Sequence, residues 1–161
     1  MLPPIRELAD SWASIYANSA ALRSVISFAH IGGLVGGGGC ALAADRATLR
    51  ALRQSPRAVA GEVHHLHGIH NVVLAGLAVV IVSGVLLMLA DLDAYLIAPA
   101  FWFKMGLVAA LFANGWILVR TALRAEAGEA AARAGLRRAS VASIILWFAT
   151  TLVGAVLPNV L

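Results

Sequence analysis

The stretch Phe28–Cys40, FAHIGGLVGGGGC, lies in the first strongly apolar segment of the chain and carries one histidine followed by six glycines. Glycine destabilises a water-exposed helix by about 1 kcal/mol relative to alanine. A buried imidazole also needs a partner, because a polar group without one is costly away from water. The segment therefore predicts a membrane helix in which a close contact with another group compensates for both costs.

The composition indicates an all-α integral membrane protein. Of 161 residues, 61% are hydrophobic and 12% charged, with a mean hydropathy of +0.87, whereas soluble domains have about 45–50% apolar and about 25% charged residues. Each of four apolar blocks has about the length that crosses a bilayer. The predicted spans are 22–44, 66–90, 99–120 and 139–157.

The charges indicate the topology and exclude one class of partner. Arginines cluster after the first span and between the third and fourth, whereas Asp91 and Asp93 follow the second. The positive-inside rule therefore places both arginine-rich loops in the cytoplasm and both termini outside a bacterial inner membrane. Short connections predict an up-down-up-down four-helix bundle. The net charge of +4 suits anionic lipid headgroups, and nucleic acid is not an expected partner.

Two segments outside the spans are also expected to be helical. In residues 1–20, apolar side chains recur every three or four positions, including Trp12 and Tyr16. This pattern predicts an amphipathic interfacial helix, followed by a transmembrane domain over residues 21–161. The alanine-rich residues 121–138 predict that helices three and four continue into the cytoplasm, with a Glu129–Arg133 pair at i,i+4.

Three ionisable side chains inside the spans are predicted to share one layer. With Asp45 and Arg57 taken as the cytoplasmic flanks of the first two spans, His30 lies about 22 Å and His70 about 20 Å deep. Lys104 lies about 24 Å deep when its own span is measured in the same way. Ionisable groups within spans are costly and are functional hypotheses by default.

The glycines suggest what this layer could bind. Gly33 and Gly37 share the helix face of His30, where small residues leave room for a flat macrocycle. Histidines from two helices are a common way to hold haem iron. We therefore expect haem b between His30 and His70, with Lys104 near a propionate. Alternatively, His30 makes an interhelical hydrogen bond, the glycines only pack helices, and Lys104 extends to the interface.

A second group of histidines leaves the ligand assignment open. The run HHLHGIH spans residues 64–70, and His67 is the main rival of His70 as a haem ligand. His64 and His67 with a third group could instead hold a divalent transition metal, since imidazoles at helical spacing suit zinc or copper.

The layout resembles a bacterial superfamily of four-span membrane proteins that includes HemJ-type protoporphyrinogen oxidases and CopD-type copper-resistance domains. The matching stretches are FAHIGGLVGGG, AADRATLRALR, VVIVSGVLLM and PAFWFKMGLVAALFANGWILV. The resemblance implies that His30 corresponds to the first-span histidine and Lys104 to a third-span lysine after an aromatic, here Trp102. It also implies haem b.

Three functions follow as expectations. The first is a b-type haem protein with a redox role, either electron transfer or HemJ-like porphyrinogen oxidation, so that an enzymatic activity stays open. The second is transport of, or resistance to, a divalent metal such as copper. The third is a structural subunit of a larger membrane complex. A homodimer through Gly32 and Gly36 is a further expectation about partners.

Overall fold

The structure is a computed structural model that describes residues 3–54 and 56–160, with the side chains of residues 3–5, 56–58 and 60–68 outside the description. The described residues are almost entirely helical and include no strand. The helices are α1 (Pro3–Asn18), α2 (Ala20–Gly33), a π-helical segment (Leu34–Gly38), α3 (Gly39–Gln54), α4 (Pro56–Ala90), α5 (Leu92–Ile97), α6 (Pro99–Glu126), α7 (Ala130–Val156) and a final 3-10 turn (Leu157–Asn159).

Four of the helical runs are long and apolar enough to cross a membrane. They are Ala20–Gln54, Ile69–Ala90, Pro99–Glu126 and Ala130–Asn159. Every predicted span lies within a helix, and apolar side chains such as Phe28, Ile31 and Val35 point outward at helical spacing. Buried apolar residues instead form small clusters, one of which joins Ala51, Val59, Ala122 and Leu136. An apolar exterior over so small a core indicates a membrane protein.

The glycines of the opening stretch bring the first run against α4. A Cβ built on Gly76 of α4 would lie 2.5 Å from the Cα of Gly37, and one built on Gly33 would lie 2.9 Å from the Gly76 carbonyl oxygen. Contacts this close require glycine on both helices. Gly38 likewise lies under the Trp147 ring of α7, 3.0 Å from a built Cβ. The π-helical segment, which the sequence pattern does not predict, falls within this contact region.

A tight turn joins α6 to α7 and confirms that both helices extend past their predicted spans. The Glu129 amide donates to the Arg124 carbonyl and the Gly128 amide to that of Ala125, which is the pattern of a Schellman motif. Gly128 has φ +88°, a conformation that glycine adopts without steric cost. The predicted Glu129–Arg133 pair is wrong, because Glu129 precedes α7 and its carboxylate pairs with Arg124 at 2.8 Å.

The N-terminal helix α1 lies against the far end of α4. The Trp12 indole Nε1 donates to the Leu86 carbonyl at 2.9 Å, and Arg6 pairs with Asp93 of α5 at 2.8 Å. Ser19 separates α1 from α2, and its hydroxyl accepts the Leu22 amide as an N-cap. The molecule therefore has two ends, one near the arginine-rich C-terminal parts of α3 and α6, here called the basic end, and the opposite end near α1 and α5.

Candidate functional site

His30 forms an interhelical hydrogen bond with α4. Its Nδ1 lies 3.0 Å from the Ser83 hydroxyl oxygen, while that hydroxyl donates to the Val79 carbonyl at 2.6 Å. Because the Ser83 proton is used in this way, His30 Nδ1 is the donor and Nε2 retains the lone pair. The ring edge also packs on Gly84, 3.3 Å from a built Cβ. The partner of the half-buried imidazole is therefore a serine on α4.

Lys104 belongs to the same end of the molecule as His30. Its Nζ lies 3.4 Å from a Cβ built on Gly154 of α7, and its charge acts electrostatically on His30. Among the described residues no carboxylate pairs with it. The predicted level of His30 and Lys104 agrees with these contacts. Trp102 is exposed, and its indole Nε1 donates to the Leu96 carbonyl.

The predicted slot beside Gly33 and Gly37 is already filled. Both glycines face α4, as their shared face with His30 predicts, but the backbone around Gly76 lies directly on them. No space for a macrocycle remains between these helices. The expectation that these glycines form a haem bed is therefore wrong, and helix packing is what they provide.

His70 does not share a layer with His30. His30 contacts Ser83, which lies about 20 Å further along the continuous helix α4 than His70, at 1.5 Å per residue. Two imidazoles on one iron must face each other across it, so this pair cannot ligate a single haem. The depth estimate failed because Asp45 is not at the end of its helix: α3 continues to Gln54.

His70 instead lines a groove between α4 and α6. These two helices touch only sparsely, while α3 and α7 close the space behind them. The groove has a cavity volume of about 430 Å³, within the range of sites for cofactors and drug-sized ligands. Its walls are largely apolar. The lining includes Asp45, Thr48, His70, Phe112, Gly115, Trp116, Ser143 and Trp147.

Each wall of the groove contributes a different group. His70 is exposed on α4, and on α6 nothing lies within 4 Å of a Cβ built on Gly115, so this part of the wall is flat. Trp116 is a neighbour of Gly115 and carries the Arg120 guanidinium 3.8 Å from its ring centroid. The groove therefore offers an imidazole nitrogen, aromatic faces and a cation on α6 toward the basic end.

Asp45 is the functional candidate that the sequence reading missed. At the level of sequence Asp45 marks the membrane edge, yet only 4% of it is exposed, and it lines the back of the groove with Thr48 and Ser143. The helical spacing is what indicates a shared position: Asp45 lies one turn before Thr48, so both side chains are on the same face of α3, the face that packs against α7. A charge at the end of an apolar run does not by itself reveal that the helix continues.

The alternative metal site falls partly outside the described residues. The side chains of His64 and His67 are not described, so their position relative to His70 stays a prediction. Among the residues that the structure describes, no three His, Cys, Asp or Glu side chains converge as metal ligands. Comparison with protein-family models, curated proteins and solved structures finds no match to this chain.

Proposed function

We propose that this chain is a bacterial inner-membrane protein, folded as an up-down-up-down four-helix bundle, that binds a b-type haem in the groove between α4 and α6. The observation that carries the proposal is His70 on the wall of an apolar cavity of about 430 Å³, opposite the flat surface at Gly115. In this proposal one histidine, His70, and not the pair with His30, would hold the haem iron.

The groove residues suit such a group in three respects. The His70 imidazole is a nitrogen ligand of the kind that holds haem iron. Phe112 and Trp116 offer aromatic surface for a planar macrocycle. Arg120 lies above the Trp116 ring and supplies a cation for a propionate. Lys104, next to Gly154 at the other end of the bundle, does not take that part.

A bound haem would supply one-electron chemistry, and the protein would supply its surroundings. His70 would hold the haem iron, and the apolar walls would limit access of water, both of which tune a redox potential. The resemblance to HemJ-type oxidases makes electron transfer or porphyrinogen oxidation the proposed class of reaction. The lipid bilayer is the proposed partner of the outward apolar faces, such as Phe28 and Phe148.

The test is an absorbance spectrum of the protein purified in detergent, before and after dithionite. We expect a Soret band in the wild type, its loss or marked shift in His70→Ala, and its retention in His30→Ala. His30→Ala is the matched control, because it removes an imidazole of the same chain that lies about 20 Å from His70 along α4 and does not line the groove. A wild type without haem in a pyridine extract would overturn the proposal.

Two other functions predict different results in the same preparation. A divalent-metal transporter would carry zinc or copper by elemental analysis and lose it on substitution of His64, His67 or His70. A structural subunit of a larger complex would carry neither haem nor metal. Loss of the Soret band in His30→Ala alone would exclude the α4–α6 groove as the haem site. It would place the haem at the end of the molecule that holds His30 and Lys104.

A further inference from the structure

Four buried polar side chains meet behind the groove, two from α3 and two from α7. Asp45 and Thr48 lie on one face of α3, and Ser140 and Ser143 on the facing side of α7. Their exposed fractions are 4%, 2%, 0% and 7%. All four lie within helical runs that are apolar enough to span a membrane. We call this set the Asp45 cluster.

Among the described residues, no cationic side chain pairs with the Asp45 carboxylate. The salt bridges among the described residues are Arg6–Asp93 and Arg124–Glu129, and neither includes Asp45. An ionised carboxylate buried without a partner is strongly unfavourable, so a second charge must neutralise it. A bound cation or a proton would meet this requirement.

The hydroxyl groups around the carboxylate favour the cation. Ser143 lines the groove together with Asp45, and Ser140, one helical turn before it, is fully buried with an Oγ that has no hydrogen-bond partner among the described residues. An unpartnered buried hydroxyl needs an explanation, and an unseen ion is one. Oxygen ligands hold a cation such as calcium at about 2.4 Å. Two oxygen atoms that bind the same ion lie further apart than two oxygen atoms that share a hydrogen bond. A bound ion therefore accounts for a Ser140 hydroxyl that makes no hydrogen bond.

The ligand chemistry and the charge together narrow the identity of the ion. The cluster offers only oxygen atoms, which hard cations prefer over the soft transition metals. One carboxylate balances one positive charge, whereas a divalent ion would leave a net charge buried. Asp45, Thr48 and Ser143 also line the groove, so an ion can reach them without unfolding of the bundle.

We propose that Asp45, Thr48, Ser140 and Ser143 form a binding site for a sodium-sized monovalent cation at the back of the α4–α6 groove. The nearby Asn114 amide donates to the Ala139 carbonyl at 3.0 Å, which holds α7 against α6 next to Ser140. The inference does not depend on haem, because none of these residues is a proposed haem ligand.

The test is the thermal unfolding midpoint of the purified full chain as NaCl replaces choline chloride at constant ionic strength. A ligand that binds only the folded state raises this midpoint with saturation. We expect such a rise in the wild type, none in Asp45→Asn, and a rise that needs several-fold more Na⁺ in Ser143→Ala. Asp45→Asn keeps the size of the side chain and removes its charge, so it isolates the electrostatic contribution.

His70→Ala separates this proposal from the haem proposal. It should lose the Soret band and keep the Na⁺ response. A Na⁺-independent wild type would overturn the cation site, and so would an equal response in Asp45→Asn. If the midpoint of the Na⁺-independent wild type depends on pH and this dependence disappears in Asp45→Asn, the carboxylate is neutralised by a proton instead.

Discussion

At the scale of single residues, the histidines of this chain have separate environments although they belong to the same packed pair of helices. His30 is held by Ser83 and packed on Gly84, so its orientation is set by α4. His70 is exposed at the groove, where it has room for a ligand. The hydrogen-bonded His30 imidazole stabilises the contact between the two helices, whereas the exposed His70 imidazole is available to bind a ligand.

Ser83→Ala should destabilise the protein, because it leaves the half-buried His30 Nδ1 without its acceptor. Interhelical hydrogen bonds in membranes contribute about 1 kcal/mol, and we expect a loss of that size in the free energy of unfolding. The measurement is an SDS titration of the protein in mixed micelles. Ser24→Ala is the control, since Ser24 is exposed on α2. Equal stability of the two variants would contradict the role of the His30–Ser83 contact.

At the scale of helices, the glycine-rich stretch works as a contact surface. Gly33 and Gly37 let the first run approach α4 at Gly76, and Gly38 receives the Trp147 ring. Gly32, Gly36 and Gly39 have nothing within 4 Å of a built Cβ. Half of the six glycines therefore carry the helix packing, and the others leave an open face that could accept a second copy.

Gly76→Ala should disrupt this contact. The new Cβ would lie 2.5 Å from the Gly37 Cα and 2.7 Å from its nitrogen, and backbone atoms cannot move aside as a side chain does. Overpacking of this kind costs about 1–3 kcal/mol, measured by the same SDS titration. Gly36→Ala adds the same methyl group where space is open and should leave stability within experimental error. A tolerated Gly76→Ala would mean that α2 and α4 separate easily.

At the scale of the whole molecule, sparse contact between α4 and α6 creates the groove. The helices α3 and α7 close its back and place the Asp45 cluster there, while His30 and Lys104 lie toward the opposite end. The molecule therefore has two polar regions about 20 Å apart along α4. The asymmetry in arginine content predicts which of them lies nearer the cytoplasm.

Labelling with a membrane-impermeant maleimide tests this orientation. In a Cys40→Ser background, Ala17→Cys and Glu126→Cys place one thiol at each end, both at exposed positions. We expect Ala17→Cys to react in intact spheroplasts and Glu126→Cys to react only after lysis, because arginine-rich loops stay in the cytoplasm. The reverse pattern would invert the topology, although the helix contacts would be unchanged.

The sequence alone was sufficient for the apolar helices and for the face on which the first of them packs. Hydropathy and length found all four runs, and the face shared by His30, Gly33 and Gly37 predicted what α4 contacts. Periodicity is local, so it reports the face of a residue on its own helix. The predicted extension of α6 and α7 rests on the same local preferences.

Only the tertiary structure decided which faces meet and at what depth. Helix contacts depend on where each chain reversal occurs, and α3 continues well past Asp45 before the turn at its end. That difference shifts His70 away from His30 and brings it to the groove that Asp45 also lines. A residue's depth in a bundle is set by the register between helices, which no single apolar run contains.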